Sequence, residues 1–222
     1  GTLKLLPGEY SFTLLPEVTG VLCIEGQIDE GGPAVAIPGD HIVRAGGMLT
    51  FRSISTRPVN VSNGGMFFAM DCDLEGPTFA YGADLTIEPG GYAQIVGSSL
   101  RRVRNDGTLL LRDSTVDGAR CDKFGGGASL AVRNSGYLLL ERVSIAYTFT
   151  DSYCGDGGGI SNSGTVSMVE STVTHNSGEA DGGIYNSGYC EIARSIVANN
   201  YPGYLPNPSS WIDCTGDVPV VD

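Results

Sequence analysis

The sequence predicts an all-β chain wound as a parallel β-solenoid: one domain, coils of about 24–29 residues, capped at both ends. Three observations carry this. The 222 residues include 33 glycines with no collagen period, about twice the usual share. A phrase recurs around Gly107, Gly136, Gly164 and Gly188, at spacings of 29, 28 and 24 residues. Around each of those glycines apolar and polar residues alternate, the period of a strand with one face inside.

Taken in order along the chain, residues 1–30, with 5-LLPGEYSFTL-14, are expected to form an N-terminal cap and the first strands. Residues 31–98 read as irregular coils, because 46-GGMLTF-51, 64-GGMFFAM-70, 82-GADLTI-87 and 90-GGYAQIV-96 each give a glycine corner and a strand-like run. Residues 99–200 hold the regular coils. Residues 201–222, opening with 201-YPGYLPNPSSW-211, form a C-terminal cap over the last coil, pinned by Cys214. No unit of this size makes its own core, so the units must stack, and a solenoid end must be covered.

Stacking turns each aligned column into a ladder. Two residues before the anchors stand Asn105, Asn134, Asn162 and Asn186, whose amides are expected to bond one another in a file. The apolar columns are Val103, Val132, Ile160 and Ile184, then Leu109, Leu138, Val166 and Cys190, then Leu111, Leu140, Met168 and Ile192, then Val116, Ile145, Val173 and Val197. Six after the anchors stand Asp113, Arg142, Glu170 and Arg194, a ladder of alternating charge. Arg104 and Arg133 would stack as like charges, which favours something anionic over them.

The formal net charge of −12 disfavours nucleic acid and anionic lipid. The longest apolar runs, such as 138-LLL-140, are too short for membrane insertion. No signal peptide is visible, and the Gly-Thr-Leu start reads as a processed end. Eight of the 13 basic residues lie between Arg101 and Arg142, most of them explained by ladders or a solvated face. The six cysteines, Cys23, Cys72, Cys121, Cys154, Cys190 and Cys214, form no CxxC pair. That argues against zinc and for an oxidising compartment with up to three disulfides. Cys121 and Cys154 precede equivalent triple-glycine corners, so they are a plausible pair; Cys190 with Cys214 and Cys23 with Cys72 would follow by elimination.

The phrases 157-GGGISNSG-164 and 182-GGIYNSG-188, each followed by a run such as VESTVTHN or ARSIVANN, resemble the GGGIYNSG-type repeats of bacterial right-handed parallel β-helix proteins of the pectin-lyase-like superfamily. The likeness covers residues 99–216. It implies a right-handed, single-stranded parallel β-helix outside the cytoplasm, in a superfamily that includes polysaccharide lyases, glycosidases and non-catalytic adhesins. The sorting domain that such proteins often carry is absent from these residues.

The chemistry is weighed residue by residue, since a fold alone does not deliver activity. A lyase site would draw on Lys123 and Arg120, with Arg104 and Arg133 near; a solvated loop tethered by Cys121 is the plainer account. Asp156 and Asp181 each precede a Gly-Gly-Ile corner or its extended form, so they stack at a distance suited to paired glycosidase carboxyls or to calcium. Turn chemistry explains an Asp before Gly equally well. Tyr137, Tyr185 and Tyr189, with Tyr147 close, are candidates for stacking on sugar rings. Leu110 and Leu139 point outward as an apolar patch for a partner or a neighbouring copy. The first column after the anchors, Thr108, Tyr137, Thr165 and Tyr189, is too broken for ice binding. The expectation is a secreted or cell-surface protein with a structural, adhesive or glycan-binding role, its partner a polysaccharide, a cell-surface glycan or copies of itself. The alternative is a polysaccharide lyase or glycoside hydrolase acting on an extracellular polysaccharide, with calcium as its one conceivable cofactor.

Overall fold

The computed structural model describes residues 2–9, 17–29, 32–33, 35–37, 40–56, 58–75, 83–119, 130–149, 158–178 and 182–202. These residues form strands and turns, with no helix, and the strands stack into three main parallel ladders and a short fourth one, Ser177–Gly178 with Tyr201–Pro202. The one antiparallel pairing among them is a two-residue hairpin, Ile28–Asp29 with Gly32–Pro33. The chain is a parallel β-solenoid.

A wide, nine-stranded sheet runs from Thr2–Lys4 through Val21–Glu25, Met48–Arg52, Met66–Met70, Tyr92–Val96, Thr108–Arg112, Tyr137–Glu141 and Thr165–Val169 to Tyr189–Ala193. A seven-stranded sheet, from His41–Val43 to Ile184–Asn186, supplies the strand before each of its later members. We call it the asparagine sheet. A third sheet follows the wide one in each coil, from Gly8–Glu9 to Ile196–Ala198, with Asp73 bridging Ser55 and Ser99 to join its two parts. Coil length is not confined to the expected range. Equivalent residues lie 29, 28 and 24 apart downstream but 18, 26 and 16 apart upstream. The segment 31–98 therefore continues the same register in coils of unequal size.

The aligned columns fall in register. Asn105, Asn134, Asn162 and Asn186 pair strand to strand, with amide-to-amide bonds of 2.7, 2.7 and 2.6 Å. Asn105, Asn134 and Asn162 are buried at the corner between the asparagine and wide sheets. The inward columns of the wide sheet, from Leu49 and Phe51 to Cys190 and Ile192, make the core with Val116, Ile145 and Val173 of the third sheet. Upstream, large residues stack beside small ones: Phe51 beside Ala69, Phe67 beside Ala93.

The anchor glycines are needed for close stacking and not for a left-handed corner. Gly107, Gly136, Gly164 and Gly188 do not have positive φ. A Cβ on Gly164 would instead lie 2.2 Å from the Gly136 carbonyl oxygen, and one on Gly136 2.0 Å from that of Gly107. Close stacking of backbone excludes a side chain there. Positive φ belongs to the opposite corner, at Asp113, Arg142, Glu170 and Arg194. The amides of Asp113, Arg142 and Glu170 still donate to the next strand, which offsets the roughly 1–2 kcal/mol cost of the left-handed conformation.

The Cys23–Cys72 pairing is overturned: both thiols are free. Cys23 stands on the outer face of the wide sheet between Thr2 and Thr50, whereas Cys72 is buried and donates to the Met70 carbonyl. The file of Cys23 runs on to Thr50 and Phe68, so Cys72 is two rungs away, about 9.6 Å at strand spacing, and four residues further along the chain, beyond the reach of a disulfide. Burial pushes the Cys72 thiol up to about 11. Cys190 is buried and is not a free thiol; Cys214, its expected partner, lies outside the described residues, as do Cys121 and Cys154.

Candidate functional site

Parallel stacking gives every outward column a flat, ruled surface, and the candidate residues separate onto two of them. Tyr137 and Tyr189 share the wide sheet, in the file Thr108, Tyr137, Thr165, Tyr189. They are 42% and 54% exposed, so both rings are open to a ligand. That file continues upstream through Tyr92, Met66, Met48 and Val21, which sequence alignment on the asparagine missed because those coils lack it. The neighbouring file, Phe68, Gln94, Leu110, Leu139, Ser167 and Glu191, confirms that Leu110 and Leu139 face outward and extends the apolar strip to Phe68.

Arg104, Arg133 and Tyr185 share the outer file of the asparagine sheet, with Ser161 between Arg133 and Tyr185. Tyr185 is thus on a different face from Tyr137 and Tyr189. Arg104 and Arg133 do stack as like charges, but the relief comes from within the chain. Arg104 forms an ion pair of 2.8 Å with Asp106, and Asp106 accepts the Ser135 hydroxyl. Partial burial alone would raise the Asp106 pKa; the Ser135 hydroxyl, the Arg104 guanidinium and, at longer range, Arg133 overcome it and hold the carboxyl below its usual range. Arg133 is exposed and forms no ion pair with the described residues. Among the described residues of the basic strip, Arg133 is the guanidinium without an ion pair.

The charge ladder forms as two units. Arg142 grips Asp113 through two bonds of 2.6 and 3.0 Å, and Arg194 meets Glu170 at 3.0 Å. Arg142 turns to Glu141 rather than to Glu170, and Glu141 also takes Arg112. The guanidinium bonds hold Asp113 and Glu141 below their ordinary pKa.

Asp156, Asp181, Arg120 and Lys123 lie outside the described residues. The corners that follow the two aspartates do stack: the Gly159 amide donates to the Gly182 carbonyl at 2.9 Å. Among the described residues no three His, Cys, Asp or Glu side chains gather as a metal site.

Several polar devices escaped the sequence reading. A second asparagine ladder links Asn176 to Asn200, with Asn176 accepting the Thr148 amide. A serine ladder runs through Ser98 and Ser114, and again through Ser171 and Ser195, each hydroxyl accepting the amide of the coil before. Val143 interrupts it, and its own amide donates to Ser171 Oγ. The serine column was readable seven residues after the anchors; Val143 hid it. A third corner stacks Tyr147 on His175, with ring centroids 5.4 Å apart. Asp84 and Arg102 are buried together, the Arg102 amide donating to Asp84 Oδ2 at 2.9 Å.

His41, also buried, meets Thr56 Oγ1 at 2.6 Å through Nε2, while Thr56 donates to the Ile37 carbonyl. Thr56 therefore accepts from His41, which assigns the proton to Nε2 and leaves Nδ1 without a partner.

No family model, curated protein or solved structure matches the chain.

Proposed function

We propose that this chain is a secreted or cell-surface β-solenoid with a structural or adhesive role, which binds glycan on the outer face of its wide sheet and performs no catalysis. The observation that carries this reading is the file holding Tyr137 and Tyr189, exposed on a regular, flat surface. Aromatic faces on a rigid scaffold gain contact area at little cost in ordering. Threonine and serine hydroxyls between them are placed to meet sugar hydroxyls. Arg133 and Tyr185, on the asparagine sheet, offer a second, smaller contact. The likeness of 157-GGGISNSG-164 to the repeats of bacterial right-handed β-helix proteins supports the extracytoplasmic setting.

The test is retention of the protein on a panel of immobilised polysaccharides, with the supernatants assayed for new reducing ends and for the ultraviolet absorbance of unsaturated uronates. Retention without product supports the reading. Turnover that disappears in Asp156→Ala, Asp181→Ala or Lys123→Ala would replace it with a lyase or hydrolase.

A further inference from the structure

The outward file of the wide sheet has a period that the four-copy alignment could not show. In register order it reads Tyr92, Thr108, Tyr137, Thr165, Tyr189: a tyrosine on every second rung, a threonine on each rung between. Rungs lie about 4.8 Å apart, so the rings repeat at about 9.6 Å along one straight line and span about 19 Å. Tyr92 is laid along its own strand, its hydroxyl reaching Gln94 Oε1 at 3.3 Å, and Phe68 tilts against it with centroids 5.8 Å apart. Tyr92 is half-buried and Tyr137 and Tyr189 are exposed, so all three rings reach the surface. The small threonines keep the intervals open.

We propose that this file binds a neutral, extended β-1,4-linked polysaccharide running parallel to the solenoid axis, one disaccharide repeat per tyrosine. In such a ribbon each sugar is turned over relative to the last, so equivalent apolar C–H faces recur every second sugar, in a straight line and at close to the spacing of the rings. Chains that coil, such as α-1,4- or β-1,3-linked glucans, do not present their faces to a straight file. The net charge of −12 favours an uncharged polymer over a polyuronate. Gln94 and Ser167, on the neighbouring file, and Thr108 and Thr165 supply hydrogen-bonding groups for equatorial hydroxyls. The inference rests on the glycan-binding reading above and narrows it to one substrate class.

Calorimetric titration with oligosaccharides of defined linkage and length tests it. A pentasaccharide reaches all three rings through its first, third and fifth sugars, whereas a trisaccharide reaches two. Cellopentaose is expected to bind about tenfold more tightly than cellotriose, as one further aromatic contact allows. Tyr137→Ala, which removes the central ring, should lose about that factor at both lengths, while Tyr137→Phe, which keeps the ring, retains binding; circular dichroism checks that both variants fold. Equal affinity for the two lengths, or loss of binding in Tyr137→Phe, overturns the ring-spacing argument. Tighter binding of maltopentaose or laminaripentaose refutes the substrate class while leaving a glycan-binding face. If none of these sugars, and none of the polysaccharide panel, is bound, both readings fall. A change in sedimentation mass caused by Tyr137→Ala would instead make this face a contact between copies and refute the proposal.

Discussion

Asn162→Ala removes the best-connected member of the buried file. Its Oδ1 accepts Asn134 Nδ2 at 2.7 Å and the Gly164 amide at 3.1 Å. Its Nδ2 donates to Asn186 Oδ1 at 2.6 Å, to the Tyr189 carbonyl at 3.0 Å and to the Gly164 carbonyl at 3.3 Å. Asn134 keeps other acceptors, the Thr165 and Gly136 carbonyls, but the Gly164 amide and the Tyr189 carbonyl lose theirs from this side chain. At about 1 kcal/mol net per bond, the four shortest contribute about 4 kcal/mol, a large share of the 5–15 kcal/mol that usually separates folded from unfolded. Asn186→Ala, in a half-buried site at the described end of the file, should cost about half as much. Urea unfolding followed by far-ultraviolet circular dichroism measures both, with equal slopes required for the comparison. A cost for Asn162→Ala below about 1 kcal/mol, or no larger than that of Asn186→Ala, would refute the idea that the file is cooperative and buried.

Three further outcomes are expected. Gly164→Ala forces a Cβ to 2.2 Å from the Gly136 oxygen and 2.5 Å from the Ser135 carbonyl carbon, so it should cost more than about 3 kcal/mol or abolish soluble expression; Gly46→Ala, with nothing within 4 Å and φ +76°, should cost about 1–2 kcal/mol in the same urea assay. Ser171→Ala leaves the Val143 amide without its acceptor and should lower stability by about 1–3 kcal/mol, with faster amide exchange at Val143 as the local readout. Burial lowers the His41 pKa below its ordinary 6.5, against smaller opposing effects of the Ile37 carbonyl and Asp40. The folded chain therefore binds this proton less readily than the unfolded one, so the stability His41 contributes is complete above about pH 6.5 and is lost as pH falls toward the folded value. The urea midpoint should drop between about pH 7 and pH 5.5, and less steeply in His41→Phe.

The regular coils were legible because four letters repeat where stacking is strict. Asn105, Asn134, Asn162 and Asn186 recur because a buried amide must bond its neighbour, and the glycines two residues on recur because a Cβ does not fit. Upstream the same corner is turned by a longer segment with Gly46, Gly64 or Gly90 at φ +76°, +75° or +79°, so an alignment anchored on asparagine stops at Asn105. Tyr92 was missed with it, and so was the two-rung period that gives the tyrosine file its meaning. Tyr185, close in sequence to Tyr189, is set apart from Tyr137 and Tyr189 for a different reason. Both stretches are strands, but Tyr185 lies before the corner and Tyr189 after it, so they face different ways. Asp106 as the neutraliser of Arg104 was equally hidden, because it belongs to a turn and not to a repeated column.

The in-register stacking of the coils is tested most directly by cross-linking in solution. Arg133 and Ser161 are register partners on the outer face of adjacent rungs, about 4.8 Å apart and within disulfide reach. The pair Arg133→Cys with Ser161→Cys, in a Cys23→Ser background, should oxidise to a new intramolecular disulfide detectable by peptide mass spectrometry. Arg133→Cys with Tyr185→Cys, two rungs apart, should not. Cross-linking of the second pair but not the first, or of neither, would contradict the stacked register on which the tyrosine file depends.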